Sequence, residues 1–195
     1  MTFIRMIRHG ETDWNVEGRT QGWTDLPLNK RGCQQAQQVI DDLAKKKWDL
    51  IVTSPLQRAK ETAHIIQDDI ALPVLISDHF KERHYGDVEG MLRHERKKRY
   101  PTNIYPNSES REALTIRVVN GMEKLHKAYP GKNILLITHG GAINAALTAF
   151  SDGLYGFDRT SLQNVSFTDF HFHENHWHIL KINGKKLNTG VFSFF

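Results

Sequence analysis

Two stretches hold the residue types best suited to chemistry, Arg8-His9-Gly10-Glu11-Thr12 and Thr138-His139-Gly140-Gly141. In each, a short apolar run (residues 3–7 and 134–137) leads into a histidine and then into glycine. A strand ending this way presents its histidine at the carboxyl end, and in an open α/β sheet such ends face the ligand crevice. Arg8 places a cation beside His9, and Gly10 lets the chain turn closely around a bound group. Arg58, about one turn into the segment after Ser54-Pro55, offers a planar fork suited to bidentate contact with phosphate. After His139, Gly140-Gly141 opens a helix whose free N–H groups also suit an anion. Phosphoryl transfer to nitrogen needs a neutral imidazole, cations for the equatorial oxygens and an acid for the leaving oxygen. These residues suggest an enzyme phosphorylated on its own histidine.

Either histidine alone would read as a core or surface residue; two in matched strand-end settings favour a site. The rival is a metal centre. Neither histidine has His-x-x-x-His or cysteine-rich spacing, and their companions are Arg and Gly rather than carboxylates, so no metal is assigned.

The elements that must position these groups follow from periodicity. Strands are expected at residues 3–7, 49–53, 72–76 and 133–138, and helices at 30–46 (capped by Asn29), after Ser54-Pro55, at 111–128 and at 142–150. Pro55 is placed in the first turn of its helix. Residues 10–29 read as a functional loop, and residues 165–183 as a hairpin turning at Glu174-Asn175. The polar, basic stretch 82–107 reads as a cap over the site. Strand, helix and strand between residues 49 and 76 make a βαβ unit, so the class is α/β with one domain spanning 1–195.

The net charge of +4 is mild and spread along the chain, which does not point to nucleic acid. Lone Cys33 cannot form an internal disulfide and fits a reducing cytoplasm. Neither a signal peptide nor a membrane span is expected.

The chain resembles the histidine phosphatase superfamily, the phosphoglycerate mutase-like group, and within it the short bacterial broad-specificity phosphatases. The likeness runs from the Arg8–Thr12 stretch through Trp14-Asn15, Gly18-Arg19, Gln21-Gly22, Asp25, Pro27-Leu28, Gly32 and Gln35-Ala36. It continues through Ser54-Pro55-Leu56, Arg58-Ala59, Thr62-Ala63, Glu82, Tyr85-Gly86 and Glu89-Gly90, and ends at Thr138–Gly141 and Ile143. The resemblance implies a three-layer α/β/α sandwich with a mostly parallel central sheet, an antiparallel edge near the C-terminus and a cap-like insertion at about 83–112. It implies that His9 is the phosphorylated nucleophile and Glu82 the proton donor. Arg8, Arg58 and a protonated His139 would form the phosphate pocket, with Asn15, Gln21, Gly22 and Gly140 adding contacts to phosphate or substrate. No cofactor is implied, and the partner is a small phosphorylated metabolite.

The expected activity is hydrolysis of phosphomonoesters without metal. A mutase is the alternative, although only about fifty residues separate Glu82 from the strand at Ile134 and no Arg-Arg pair occurs. An inactive binding module of the same fold is the alternative of another class, and a metal hydrolase using His171, His173, His176 and His178 is a more distant one. Specificity is expected in residues 83–112 and 151–164, the latter carrying Asp152, Asp158 and Arg159. The basic run 93–99 reads as a solvated helix face at the mouth of the site, able to meet a second charged group of the substrate. Trp14 and Trp23 flank the phosphate loop. Oligomeric state is open, with Phe192, Phe194 and Phe195 able to dock on the body or form a homodimer contact.

Overall fold

Parallel strands covered on both faces must be apolar on both, and the sheet here is built that way. The computed structural model describes residues 1–187, so the terminal phenylalanines lie outside the described residues. The first half of the chain supplies β1 (Thr2–Arg8), α1 (Asp13–Val16), α2 (Lys30–Gln38), α3 (Ile40–Leu43), β2 (Leu50–Thr53), α4 (Gln57–Ile70) and β3 (Val74–Ile76). The second supplies α5 (Arg93–Arg99), α6 (Arg111–Ala128), β4 (Asn133–Thr138), α7 (Gly140–Ala149), β5 (Phe167–His173), β6 (His176–Ile182) and β7 (Lys185–Lys186). The strands lie in the order β3-β2-β4-β1-β5-β6-β7. β1 to β4 are parallel, and β5 to β7 continue the sheet antiparallel.

Alternation along the strands divides the core into two halves. Ile4 and Met6 of β1 and Ile134 and Leu136 of β4 pack with Leu114, Val118 and Met122 of α6 and with α7. Ile7, Leu135 and Ile137 point the other way, onto Ala59, Ala63 and Ile66 of α4. The result is the three-layer sandwich with an antiparallel C-terminal edge. At the seam between parallel and antiparallel pairing, Arg5 of β1 makes a two-pronged contact with buried Asp169 of β5, at 2.7 and 2.8 Å. The guanidinium sits between Phe167 and Trp48.

Local signals place most elements well. α6 spans residues 111–128 with Ser110 capping Ala113 N–H, and the hairpin turns at Glu174-Asn175, both with positive φ as a type I′ turn requires. Three expectations need correction. The helix expected over 30–46 ends at Gln38 and restarts as the single turn α3. That break aims Leu43 into the core, where its carbonyl accepts the Trp48 indole N–H. Pro55 precedes α4 rather than sitting in its first turn, and the Gln57 N–H is capped by Asp25 from the distant loop, at 2.6 Å. Within residues 10–29, Thr12 and Asn15 form a reciprocal capping box that starts α1.

The hairpin register sets His171 opposite His178 and His173 opposite His176, which brings all four onto one face. No group of three or more His, Cys, Asp or Glu among the described residues is arranged to hold a metal ion. No described helix is long and apolar enough to cross a membrane.

Candidate active site

The register of β1 against β4, with Arg8 opposite Thr138, delivers His9 and His139 side by side as the strands end. The His9 N–H donates to Thr138 O at 2.9 Å, and the two imidazole centroids lie 5.2 Å apart. β2 ends on the far side of β4, where the Ser54 N–H donates to Ile137 O. The chain then turns into α4, which returns Arg58 to the same spot. Three parallel strand ends thus converge, as they do at the switch points of open α/β sheets.

His9 Nδ1 lies 2.7 Å from Gly10 O. A carbonyl can only accept, so Nδ1 carries the proton and Nε2 keeps its lone pair. His9 is nearly inaccessible to solvent, and burial first, then the Arg58 and Arg8 charges, hold it well below its ordinary pKa of 6.5. Its ring is neutral in the free site. His139 is wholly buried, with Nε2 2.8 Å from Ser54 Oγ and Nδ1 without a partner. Burial, then Arg58, His9 and Arg8, keep it neutral as well.

Burial lowers both arginines to about 10, so they stay charged near neutrality. Arg58 is held by Gly22 O and Thr24 O at 2.8 and 3.1 Å, and Arg8 by Leu162 O at 2.7 Å. Arg8 rests against Gly140. Gly22 therefore contributes its carbonyl to Arg58 as well as lining the cavity. Asn15 Oδ1 is engaged by Thr12 N–H and Asn164 Nδ2. Gln21 Nε2 donates to Thr12 Oγ1 while its Oε1 has no partner.

Glu82 arrives from the opposite side. Its carboxylate accepts from Gly141 N–H at the start of α7 (3.1 Å) and from Arg83 N–H (2.8 Å). A Cβ at position 141 would fall on that carboxylate, so glycine is what permits the contact. Trp23 Nε1 and Arg117 Nη2 both donate to Glu82 O, and Arg117 Nη1 also binds the carbonyls of residues 78, 79 and 81. Trp23 thus braces the segment that carries Glu82, while Trp14 packs against Gly90.

Arg8, His9, Asn15, Gln21, Gly22, Arg58, Glu82 and Gly140 line one cavity of about 590 Å³, with His139 directly behind His9. Buried polar atoms normally find partners. Here, the unpartnered Nε atoms of Arg8 and Arg58 and Nδ1 of His139 gather at this site, donors suited to an anion.

Sequence reading gave no role to Glu89, whose carboxylate accepts from Trp23 N–H, Thr24 N–H and Oγ1, and Tyr85 N–H, tying the phosphate loop to the cap. Arg117 and Asn164, the latter donating to His9 O, were also missed. Glu89-Gly90 stood within the family-like pattern; Arg117 and Asn164 lie outside it. Of Asp152, Asp158 and Arg159, Asp158 reaches the cavity, paired with Arg111.

The two depressed histidines carry a pH consequence. Unfolded imidazoles bind protons near 6.5, before the buried rings do, so the stability these rings contribute is intact above that pH and is lost as pH falls toward the folded values. Ring-proton NMR should show His9 and His139 still neutral through pH 6.5; a midpoint near the ordinary value for either ring contradicts this electrostatic picture.

A neutral, buried imidazole among fixed guanidinia at the strand ends of an α/β sandwich defines a phosphoryl-transfer enzyme. The chain belongs to the histidine phosphatase superfamily (branch 1), whose profile matches residues 4–185, and it is an enzyme of the phosphatase type. It is 48% identical over 183 residues to the uncharacterized phosphatase PhoE of Bacillus subtilis (strain 168), covering 94% of this chain and 95% of that one. It is 36% identical over 156 residues to phosphoglycerate mutase-like protein 4 of Arabidopsis thaliana, covering 73% and 68%. Among solved structures, the mycobacterial glucosyl-3-phosphoglycerate phosphatase superposes with a TM-score of 0.85 at 27% identity, covering 94% of this chain and 99% of that one.

Proposed function

We propose that the chain hydrolyses phosphomonoesters of small metabolites through a phosphohistidine on His9, with Glu82 as acid and then base. The observation that carries this reading is the His9 ring itself, its Nδ1 tied to Gly10 O, which leaves the Nε2 lone pair for phosphorus, and its charged form disfavoured by burial and by Arg58 and Arg8. In the first step the Nε2 lone pair forms a bond to phosphorus, the ester P–O bond breaks, and the departing oxygen takes the Glu82 proton. In the second, water bonds to phosphorus as the P–N bond breaks, and Glu82 accepts the water's proton.

Arg8 and Arg58 neutralise the phosphoryl oxygens throughout, which is the electrostatic service a metal would otherwise supply. An arriving dianion raises the proton affinity of His139, whose free Nδ1 can then donate. It also favours a flipped Gln21 amide, with Thr12 donating to Oε1 and Nε2 turned to the anion. Gly140, Asn15 and the Gly22 turn shape the same pocket. The short stretch between Glu82 and Ile134, which carries no Arg-Arg pair, favours hydrolysis over mutase transfer. Free Cys33 supports a reducing, cytoplasmic setting.

Phosphate release from p-nitrophenyl phosphate in excess EDTA tests the proposal, with the protein quenched during turnover for mass spectrometry. Activity that persists with the chelator, together with an acid-labile phosphate on His9, is expected. Loss of activity to EDTA, or turnover without a phosphorylated histidine, overturns it.

A further inference from the structure

The cavity is wider and more cationic than one phosphoryl group requires. Eight Lys and Arg side chains line it against two carboxylates, Glu82 and Asp158, whereas a dianion at His9 balances Arg8 and Arg58 alone. Much of the surplus comes from α5. Arg93, Arg96 and Lys97 stand at i, i+3 and i+4 and so share a face, and that face lines the cavity while Lys98 and Arg99 do not. None of the three has a carboxylate partner among the described residues. Arg111, on the same wall, is by contrast neutralised by Asp158 through two contacts of 2.6 and 2.8 Å.

Arg96 is also held in place. Its Nη1 donates to Thr20 Oγ1 at 2.8 Å, its guanidinium lies over the Tyr85 and Tyr105 rings, and its Nε has no partner. A planar fork fixed on aromatic faces and left partly unpartnered suits an oxyanion. The cationic surface is continuous with the inner site, since Arg93 is the charged neighbour that most lowers the proton affinity of Arg8.

We propose that this face of α5 is a second anion subsite, in which Arg93, Arg96 and Lys97 bind an oxyanion, phosphate or carboxylate, carried by the alcohol half of the substrate. The inference rests on the reading that esters are hydrolysed at His9. It makes the preferred substrates phosphomonoesters with a second acidic group, and it assigns α5 the discrimination against neutral ones.

Three esters of one chain length separate the possibilities: 3-hydroxypropyl phosphate, 3-(phosphonooxy)propionate and propane-1,3-diol bisphosphate. The neutral ester offers α5 no anion to pair with, so its kcat/KM should be at least about tenfold lower, mostly through KM. Preference for the carboxylate or for the bisphosphate, beyond the latter's statistical advantage, identifies the anion and supports the subsite in either case. Equal kcat/KM for all three overturns the subsite while leaving hydrolysis at His9 standing; failure to hydrolyse any ester overturns the reading beneath it. The Arg93→Met, Lys97→Met double variant changes two exposed side chains and should bring the ratio toward one. A ratio that stays at the wild-type value in this folded variant overturns the assignment to α5.

Discussion

His9→Ala should lower kcat for every phosphomonoester by on the order of 10³-fold or more, because the covalent route is lost while the binding cations remain. Arg8 and Arg58 are held by the carbonyls of Leu162, Gly22 and Thr24 rather than by His9. Phosphate and vanadate should therefore still bind. The space vacated by the ring opens onto the cavity, so added imidazole should restore part of the rate by taking the phosphoryl group itself. A merely structural histidine would not be rescued this way. Steady-state kinetics with and without imidazole decide the matter, and a variant within about tenfold of wild type removes His9 from the nucleophile role.

Glu82→Gln should have the second largest effect, and its size should depend on the leaving group. General acid catalysis is worth about 10²- to 10⁴-fold. In kcat/KM, which reports the first transfer, that loss is expected with alkyl phosphates, whose alkoxides cannot leave unprotonated, and a much smaller one with p-nitrophenyl phosphate. In the proposed second step Glu82 receives the proton of the attacking water, so the variant should release a burst of p-nitrophenol and accumulate phosphohistidine. Equal losses for good and poor leaving groups, with no burst, would sink the acid–base assignment. Glutamine keeps the shape and one acceptor oxygen for Gly141 N–H or Arg83 N–H, so the segment should hold its position.

The Glu82 site shows where sequence reading reached its limit. Nothing local distinguishes this glutamate from other acidic residues, and its selection came from the pattern with Tyr85-Gly86 and Glu89-Gly90. Its placement depends on Trp23, Arg117 and Gly141, between 35 and 59 positions away. Glu89 and Asp25 act in the same non-local way, one binding the phosphate loop to the cap and the other capping α4. Side-chain capping between segments distant in sequence leaves no periodic or spacing signal, which is why the start of α4 was misjudged.

The sequence by itself determined the strand ends at His9 and His139, the bounds of α6 and the turn at Glu174-Asn175. Those features are set by neighbours within a turn: alternating apolar side chains, a Ser110 cap, residues tolerant of positive φ. The tertiary structure decided the charge states of the two histidines and the partly unpartnered fork of Arg96. It also brought one face of a basic helix into the cavity wall. Those properties depend on how much water is excluded and which distant charges remain close, and both are fixed only once the layers have packed.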